Sequence, residues 1–350
     1  MKRTRKLLAL MLVLCLAASF AACGKNPDAA SAEDPKTGND PARIEINYSA
    51  VLMVTGNGEA WLMNKDHADD PWLAAQNVKS AFLGSTGTRP TVDYIDKNGS
   101  FFSNSVNLIN GGVYDNQLRY ENVDQIVPIM EFAIYLGTDG KVYIDKPAAS
   151  FSNKTMAYGG TTELHDHEPV ADHAKTVVSV MYKGAYLNDQ GELWCLEDDE
   201  WKLLRDNVAA VCQSTSVAPM VLQKDGTLSW TTGSEHTVAF DEHVDEIFEN
   251  TDVYRKGDRF YRMSSDYSDR TGVMPYQIDN IKTPLWNAGD VLIYIGTDGM
   301  IHCTKVSRLQ QGGDWVLSAY YDAACPVSTD SIAKIYNFLE NEDDIRPDGD

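Results

Sequence analysis

Between Val51 and Met300 the chain repeats one pattern seven times: an apolar run, a turn built on glycine, then an aromatic residue. The copies read VLMVTGNGEAW from Val51, VDYIDKNGSFF from Val92, IYLGTDGKVY from Ile134 and AYLNDQGELW from Ala185. They continue as MVLQKDGTLSW from Met220, VYRKGDRFY from Val253 and IYIGTDGMIH from Ile293. Four places before the turn glycine stand Val54, Ile95, Leu136, Leu187, Leu222 and Ile295. Three places after it come Trp61, Phe102, Tyr143 and Trp194, with Ser229 and His302 as exceptions. The sixth copy reverses its turn to Gly257-Asp258 and keeps Tyr254 and Tyr261 in these places. In the fifth, Trp230 follows Ser229, which suggests a slip or bulge of one residue. Asn-Gly and Asp-Gly supply the positive φ of a tight hairpin turn, and β-branched and aromatic flanks favour two short antiparallel strands.

A second apolar element travels with the hairpin. Val78–Ala81, Val123–Ile126, Val177–Val180, Val208–Val211 and Val244–Ile247 each precede a hairpin, Ile44–Ile46 precedes the first, and Ile332–Ile335 follows the last. These are expected to be a further strand of each unit, nearest a common axis. A hairpin repeated about every forty residues predicts an all-β fold, a closed β-propeller of seven blades, each a four-stranded antiparallel sheet. Eight blades with one degenerate is the alternative. Because both ends carry the element, the terminal strands should share a blade or lie in adjacent ones.

The pattern V-x-x-I followed by A-L-x-x-D-G-x-L-W resembles the regulator of chromosome condensation repeat, most clearly from Val177 to Thr232, where AYLNDQGELW and VLQKDGTLSW occur. Units one, two, six and seven keep the turn and the aromatic but lack the W-G-x-N and G-Q-L-G stretches of many such repeats. The resemblance implies a propeller. Its eukaryotic namesake is a nucleotide-exchange factor on chromatin, and secreted bacterial relatives include a β-lactamase inhibitor. Neither role is carried over, since no contact residue of either is matched to a position here.

The amino terminus supplies an address. Lys2, Arg3, Arg5 and Lys6 precede an apolar stretch from Leu7 to Leu16, and small residues Ala21 and Ala22 precede Cys23. This order reads as a secretory signal, residues 1–22, too short for a stable span. It resembles a bacterial lipoprotein cleavage box, with Phe20 in place of the usual Leu, so Cys23 is expected to carry lipid on its sulfur. Residues 23–42, poor in apolar side chains, form a disordered tether. The propeller spans 43–340, and 341–350 is an acidic tail. The expected location is the extracytoplasmic face of a cell membrane, in a Gram-positive bacterium.

Charge agrees with this address. The chain carries −21, and loss of the four basic signal residues takes it to −25. Such a body repels nucleic-acid phosphate, which argues against a chromatin role. It is expected to be a monomer held to the membrane through its lipid, with no nucleic-acid partner.

Candidate chemistry is sparse. Cys195 and Cys303 occupy the same repeat position, and bridges to Cys212 and Cys325 are conceivable in an exported protein. Reduced or buried thiols are favoured. His165, His167 and His173, in the insertion between the third and fourth hairpins, are the only candidate metal ligands, and a polar surface loop is the favoured reading, so no metal site is assigned. No calcium loop, nucleophile elbow, H-E-x-x-H helix or phosphate loop occurs, so no catalytic residues and no cofactor are assigned. Trp61, Trp194 and Trp230 follow the repeat and are expected to pack between sheets. Trp72, Trp201, Trp286 and Trp315 fall outside that register and are the candidate binding residues. The expected function is a non-enzymatic envelope scaffold for a protein or glycan. The alternatives are an enzyme acting on polysaccharide or peptide at the propeller mouth, or a structural component of an envelope complex.

Overall fold

The computed structural model describes residues 41–46, 50–64, 71–86, 89–107, 112–129, 132–145, 168–213, 218–231, 237–263, 275–288, 291–311 and 314–326. All belong to the second of two units, Thr37–Asp350.

Every regular element among them is a strand, and the strands form seven antiparallel sheets. Blade one is β1 (Pro41–Ile46), β2 (Ala50–Thr55), β3 (Ala60–Asn64) and β4 (Trp72–Ala75). Blade two is β5 (Val78–Thr86), β6 (Arg89–Asp96), β7 (Phe101–Asn107) and β8 (Gly112–Tyr120). Blade three has β9 (Val123–Ile129), β10 (Phe132–Gly137) and β11 (Val142–Asp145). Where its fourth strand would lie, Val142 exchanges backbone hydrogen bonds with Val170 and Ala171. Blade four is β12 (Ala174–Val180), β13 (Lys183–Asn188), β14 (Leu193–Glu197) and β15 (Glu200–Arg205). Blade five is β16 (Val208–Cys212), β17 (Met220–Gln223), β18 (Leu228–Thr231) and β19 (Thr237–Asp241). Blade six is β20 (Glu246–Ile247), β21 (Val253–Lys256), β22 (Arg259–Arg262) and β23 (Tyr276–Ile278). Blade seven is β24 (Ile281–Ala288), β25 (Val291–Gly296), β26 (Met300–Gln311) and β27 (Asp314–Pro326). Seven blades are present, and the eight-blade alternative falls.

The second strand of each blade lies between blades, so both of its faces are buried. That is why it reads as an apolar run rather than an alternation in five blades; Asp93 interrupts the run in β6, and Arg255 and Lys256 end it in β21. Along β2, Val51 and Met53 enter a cluster with Leu285, Trp286 and Ile293 of blade seven. Ala50, Leu52 and Val54 enter another with Val78, Ala81 and Val92 of blade two. Analogous clusters join each blade to the next around the molecule. The cluster between blades seven and one closes the ring, so the terminal sheets are adjacent. Truncating a buried leucine such as Leu52 to alanine should cost about 2–5 kcal/mol.

The first strands of successive blades approach one another at five of the seven junctions, as expected of strands around an axis. Two copies of this element are displaced from the sequence pattern. In blade four the residue aligned with Val78 and Val123 is Ala174, so the copy is Ala174–Val177 and not Val177–Val180. In blade one it is Pro41–Ile44. A bulge at the second residue of the strand fixes the alignment, since Lys79, Asp124, Lys175 and Ala209 are all skipped in pairing. Ile281–Pro284, the copy opening blade seven, escapes the pattern because proline replaces its last apolar residue. Ile332–Ile335 lies outside the described residues.

Blade five has no slip in its hairpin. Ser229 pairs with Val221 as Trp61 pairs with Met53 and Trp194 with Tyr186. The bulge lies on the other side, toward β19, and recurs at the same place in blades one, two and four.

Candidate functional site

The two ends of the sheets differ in kind. At one end lie the glycine turns, and five of the seven are bonded into the next blade. The N–H groups of Val78, Val123, Ala174, Val208 and Val244 donate to the carbonyls of Gly58, Gly99, Gly140, Gly191 and Gly226 at 2.8–2.9 Å. A residue with positive φ precedes each of these donors: Asn77, Asn122, His173, Asn207 and His243. The carbonyls of Asn77, Asn122, His173 and Asn207 accept N–H groups from their own blade's turn at 2.8–2.9 Å. Lys97 and Lys224 extend the contact, their Nζ donating to the carbonyls of Asn57 and Gln190 at 2.8 and 3.1 Å.

Side chains at the turns also serve the fold. Trp61 and Trp194 donate their indole N–H to Glu59 and Glu192 at 3.1 and 3.2 Å. The Tyr143 hydroxyl donates to Asp139 at 2.9 Å, and burial together with that carboxylate pushes the phenol up to about 12. His302 stacks on Tyr294 at 5.0 Å with its Nε2 against Asp298 at 3.1 Å. Trp61, Trp194 and Trp230 each pack on a cluster shared by two blades.

The three off-register tryptophans with described side chains are not brought together. Trp286 is 9% exposed and belongs to the closure cluster of blades seven and one. Trp72 packs half-buried against the cluster of blades one and two. Trp201 packs against that of blades three and four, edge-on to Tyr186 with centroids 4.9 Å apart. Trp315 lies on β27, and its side chain is outside the described residues.

The other candidates are equally scattered. His165 and His167 lie outside the described residues, whereas His173 is exposed with Nδ1 3.8 Å from Asp189. Among the described residues no group of three or more His, Cys, Asp or Glu side chains is placed to hold a metal ion. Cys195 and Cys212 are buried free thiols in different clusters, so no bridge joins them. Cys303 is buried in the closure cluster, and the Cα partner of Cys325 is Ile301. The Cys325 side chain is outside the described residues, as is Cys23.

A surface feature that tryptophan counting misses lies at the opposite end of blade four. There β12 and β13 are joined by Met181-Tyr182, with φ of 48° and 64°. Positive φ at both places is the signature of the type I′ hairpin, for which Asn-Gly is the inexpensive solution. Bulky residues are rare there. Tyr182 is 54% exposed and Met181 37%, so neither is held in place by burial. Next to them β14 and β15 are joined by Asp198-Asp199, with φ of 54° and 63°. Between the turns Glu197, 8% exposed, lies 3.4 Å from Lys183 and 3.8 Å from Lys202, and Lys202 lies 3.4 Å from Asp198. Among the described residues, five large hydrophobic side chains are exposed, and blade four carries three of them: Met181, Tyr182 and Leu203. The sequence does carry a signal here: V-M-Y-K between two apolar runs at hairpin spacing, with no glycine.

No protein-family model and no curated protein matches the chain. Similar solved structures include Hsv2 of Kluyveromyces lactis, 10% identical, with a TM-score of 0.49 over 82% of this chain and 100% of that one. Yeast RCC1 (Prp20), solved with Kap60 bound to it, is 10% identical, with a TM-score of 0.37 over 85% of this chain and 83% of that one. PorZ of Porphyromonas gingivalis, titled a bacterial surface component of the type-IX secretion system, is 10% identical, with a TM-score of 0.34 over 81% of this chain and 46% of that one. The class the sheets define is the seven-bladed β-propeller.

Proposed function

We propose that this chain is a lipid-anchored extracytoplasmic propeller that acts as a non-enzymatic protein-binding scaffold, with the Met181-Tyr182 tip of blade four as its contact. The observation that carries this reading is the mismatch between residue and backbone at that turn. Holding two bulky side chains at positive φ costs of order 1–3 kcal/mol each, and packing does not offset it, because both are exposed. Tyrosine and methionine are residues that dominate protein contacts.

Cys23 after Ala21-Ala22 supports the lipid anchor.

The test is the double substitution M181N/Y182G, which installs the preferred turn residues. Stability should rise by about 1–2 kcal/mol. Capture of envelope proteins by the full chain should fall at least tenfold. Undiminished capture would refute the tip as the contact. Binding that moves to a glycan array would leave the tip and change the class of ligand. For the anchor, C23S should release the chain from the membrane fraction, and retention would show the lipid reading to be wrong.

A further inference from the structure

We infer that the blade-four tip receives a basic, partly aliphatic segment of a partner protein, in which arginine or lysine side chains accompany leucine-like ones. This rests on the scaffold reading above and assigns the chemistry of its partner.

The tip has two halves. Met181-Tyr182 and Asp198-Asp199 cap alternate strand pairs of one sheet, so their centres lie two strand spacings apart, about 10 Å. The first half offers a thioether and an aromatic face, with Tyr182 54% exposed. The second offers Asp198, whose side chain is 93% exposed, then Asp199 and Glu200. The lysines between them are already engaged: Lys183 faces Glu197, and Lys202 faces Glu197 and Asp198. Among the described residues of the two turns and their flanks, four carboxylates (Glu197, Asp198, Asp199 and Glu200) stand beside two ammonium groups (Lys183 and Lys202), so this stretch is net negative.

An aliphatic side chain can pack on Met181, and a guanidinium can lie over the Tyr182 ring or meet the aspartates. An acidic segment is repelled by the tip and by the −21 charge of the whole chain, which steers cationic partners toward it. Both turns are two residues long and fixed by the sheet, so little ordering is needed on binding.

The inference is tested with the full chain in detergent and three 12-residue peptides, alternating Arg-Leu, Glu-Leu or Ser-Leu, measured by biolayer interferometry. The Arg-Leu peptide should bind at least tenfold more tightly than the others and weaken steeply from 50 to 300 mM salt. D198N/D199N/E200Q should lose at least tenfold. An equal neutralisation elsewhere, E242Q/D258N/D279N at exposed positions, should change affinity less than twofold. M181N/Y182G should also lose at least tenfold. Equal binding of the Arg-Leu and Glu-Leu peptides, no binding of the Arg-Leu peptide, or equal loss in the two neutralised variants would overturn the basic partner. If M181N/Y182G abolishes capture of envelope proteins but the peptides are not discriminated, the scaffold reading stands and the partner chemistry fails. If the neutralised tip loses the peptide and M181N/Y182G does not, the aromatic contact fails.

Discussion

The carbonyl of Gly191 accepts the N–H of Val208 at 2.8 Å, which ties the turn of blade four to the first strand of blade five. Four other junctions repeat the bond, so the glycines of the repeat act between blades as well as within their hairpins.

Alanine at these glycines should separate two costs. A Cβ on Gly191, at φ 86°, would lie 2.7 Å from the Val208 carbonyl oxygen and 2.8 Å from Lys224 Nζ. A Cβ on Gly299, at φ 78°, meets nothing within 4 Å. G299A should cost about 1 kcal/mol, from backbone strain alone, and G191A about 3 kcal/mol, because strain is joined by collision with backbone. Denaturant midpoints of the two variants check the order, and equal losses would mean that the junction relaxes freely.

Blade seven should be the least protected part of the ring. Among the described residues neither of its junctions carries the turn bond. Pro41, aligned with Val78 at the opening of blade one, has no N–H, and the reversed Gly257-Asp258 turn receives no bond from Ile281. Side-chain contacts hold blade seven instead: apolar clusters on both sides, and on the blade-six side the Asn287 amide, which accepts the Asp252 N–H at 2.5 Å and donates to its carboxylate at 2.8 Å. Hydrogen exchange of the full chain should show β25 amides opening before those of β13 and β17. Equal protection would show that the turn bonds add nothing to local stability.

Two carboxyls should give stability opposite slopes with pH. Burial pushes the Asp241 carboxyl up, but bonds from Lys256 at 2.6 Å and from the Tyr254 hydroxyl outweigh it and leave it below its ordinary value. Its folded form holds the proton less tightly, so its contribution is present above the unfolded value of about 4 and is lost as pH falls through the folded one. Burial raises Glu45 despite the Arg43 guanidinium 3.2 Å away. There the folded state binds the proton more tightly, so stability falls as pH rises from the unfolded value of about 4 through the folded one. D241N should destabilise at neutral pH by about 1–2 kcal/mol and flatten the acid limb. E45Q should be neutral or stabilising at pH 7 and without effect in acid. Thermal midpoints from pH 3 to 8 distinguish them, and a shared sign at pH 7 would contradict the assignment.

Cys195 and Cys212 should be chemically silent in the folded protein. Burial raises the Cys195 thiol to about 12 and raises Cys212 well above its ordinary range. Alkylation at pH 8 should label neither until the chain unfolds. Rapid labelling of the native chain would show that blades four and five part in solution.

The hairpins were legible because each turn demands glycine at positive φ and each second strand is buried on both faces, two constraints that act within ten residues. The lock between blades was half legible. Asn77, Asn122, Asn207 and Asn280 stand at a fixed place before four of the first strands, and asparagine is among the few non-glycine residues that tolerate φ near 60°. Register in blade four was misread because Val177, Val178 and Val180 are all apolar, whereas Ala174 is small and carries little pattern.

The sequence by itself determined the all-β class, the seven repeats and the place of each turn, since these follow from local backbone requirements and apolar runs. It also supplied the signal-like amino terminus and the acidic charge. Only the tertiary structure decided which side chains remain exposed. Trp286, in β24, and Tyr182, in the turn after β12, are both large aromatics outside the repeated hairpin, yet the first fills the ring closure and the second stands in solvent. Burial depends on which blade arrives beside a residue, and ring closure brings together segments more than two hundred residues apart, such as Ile44 and Ile293.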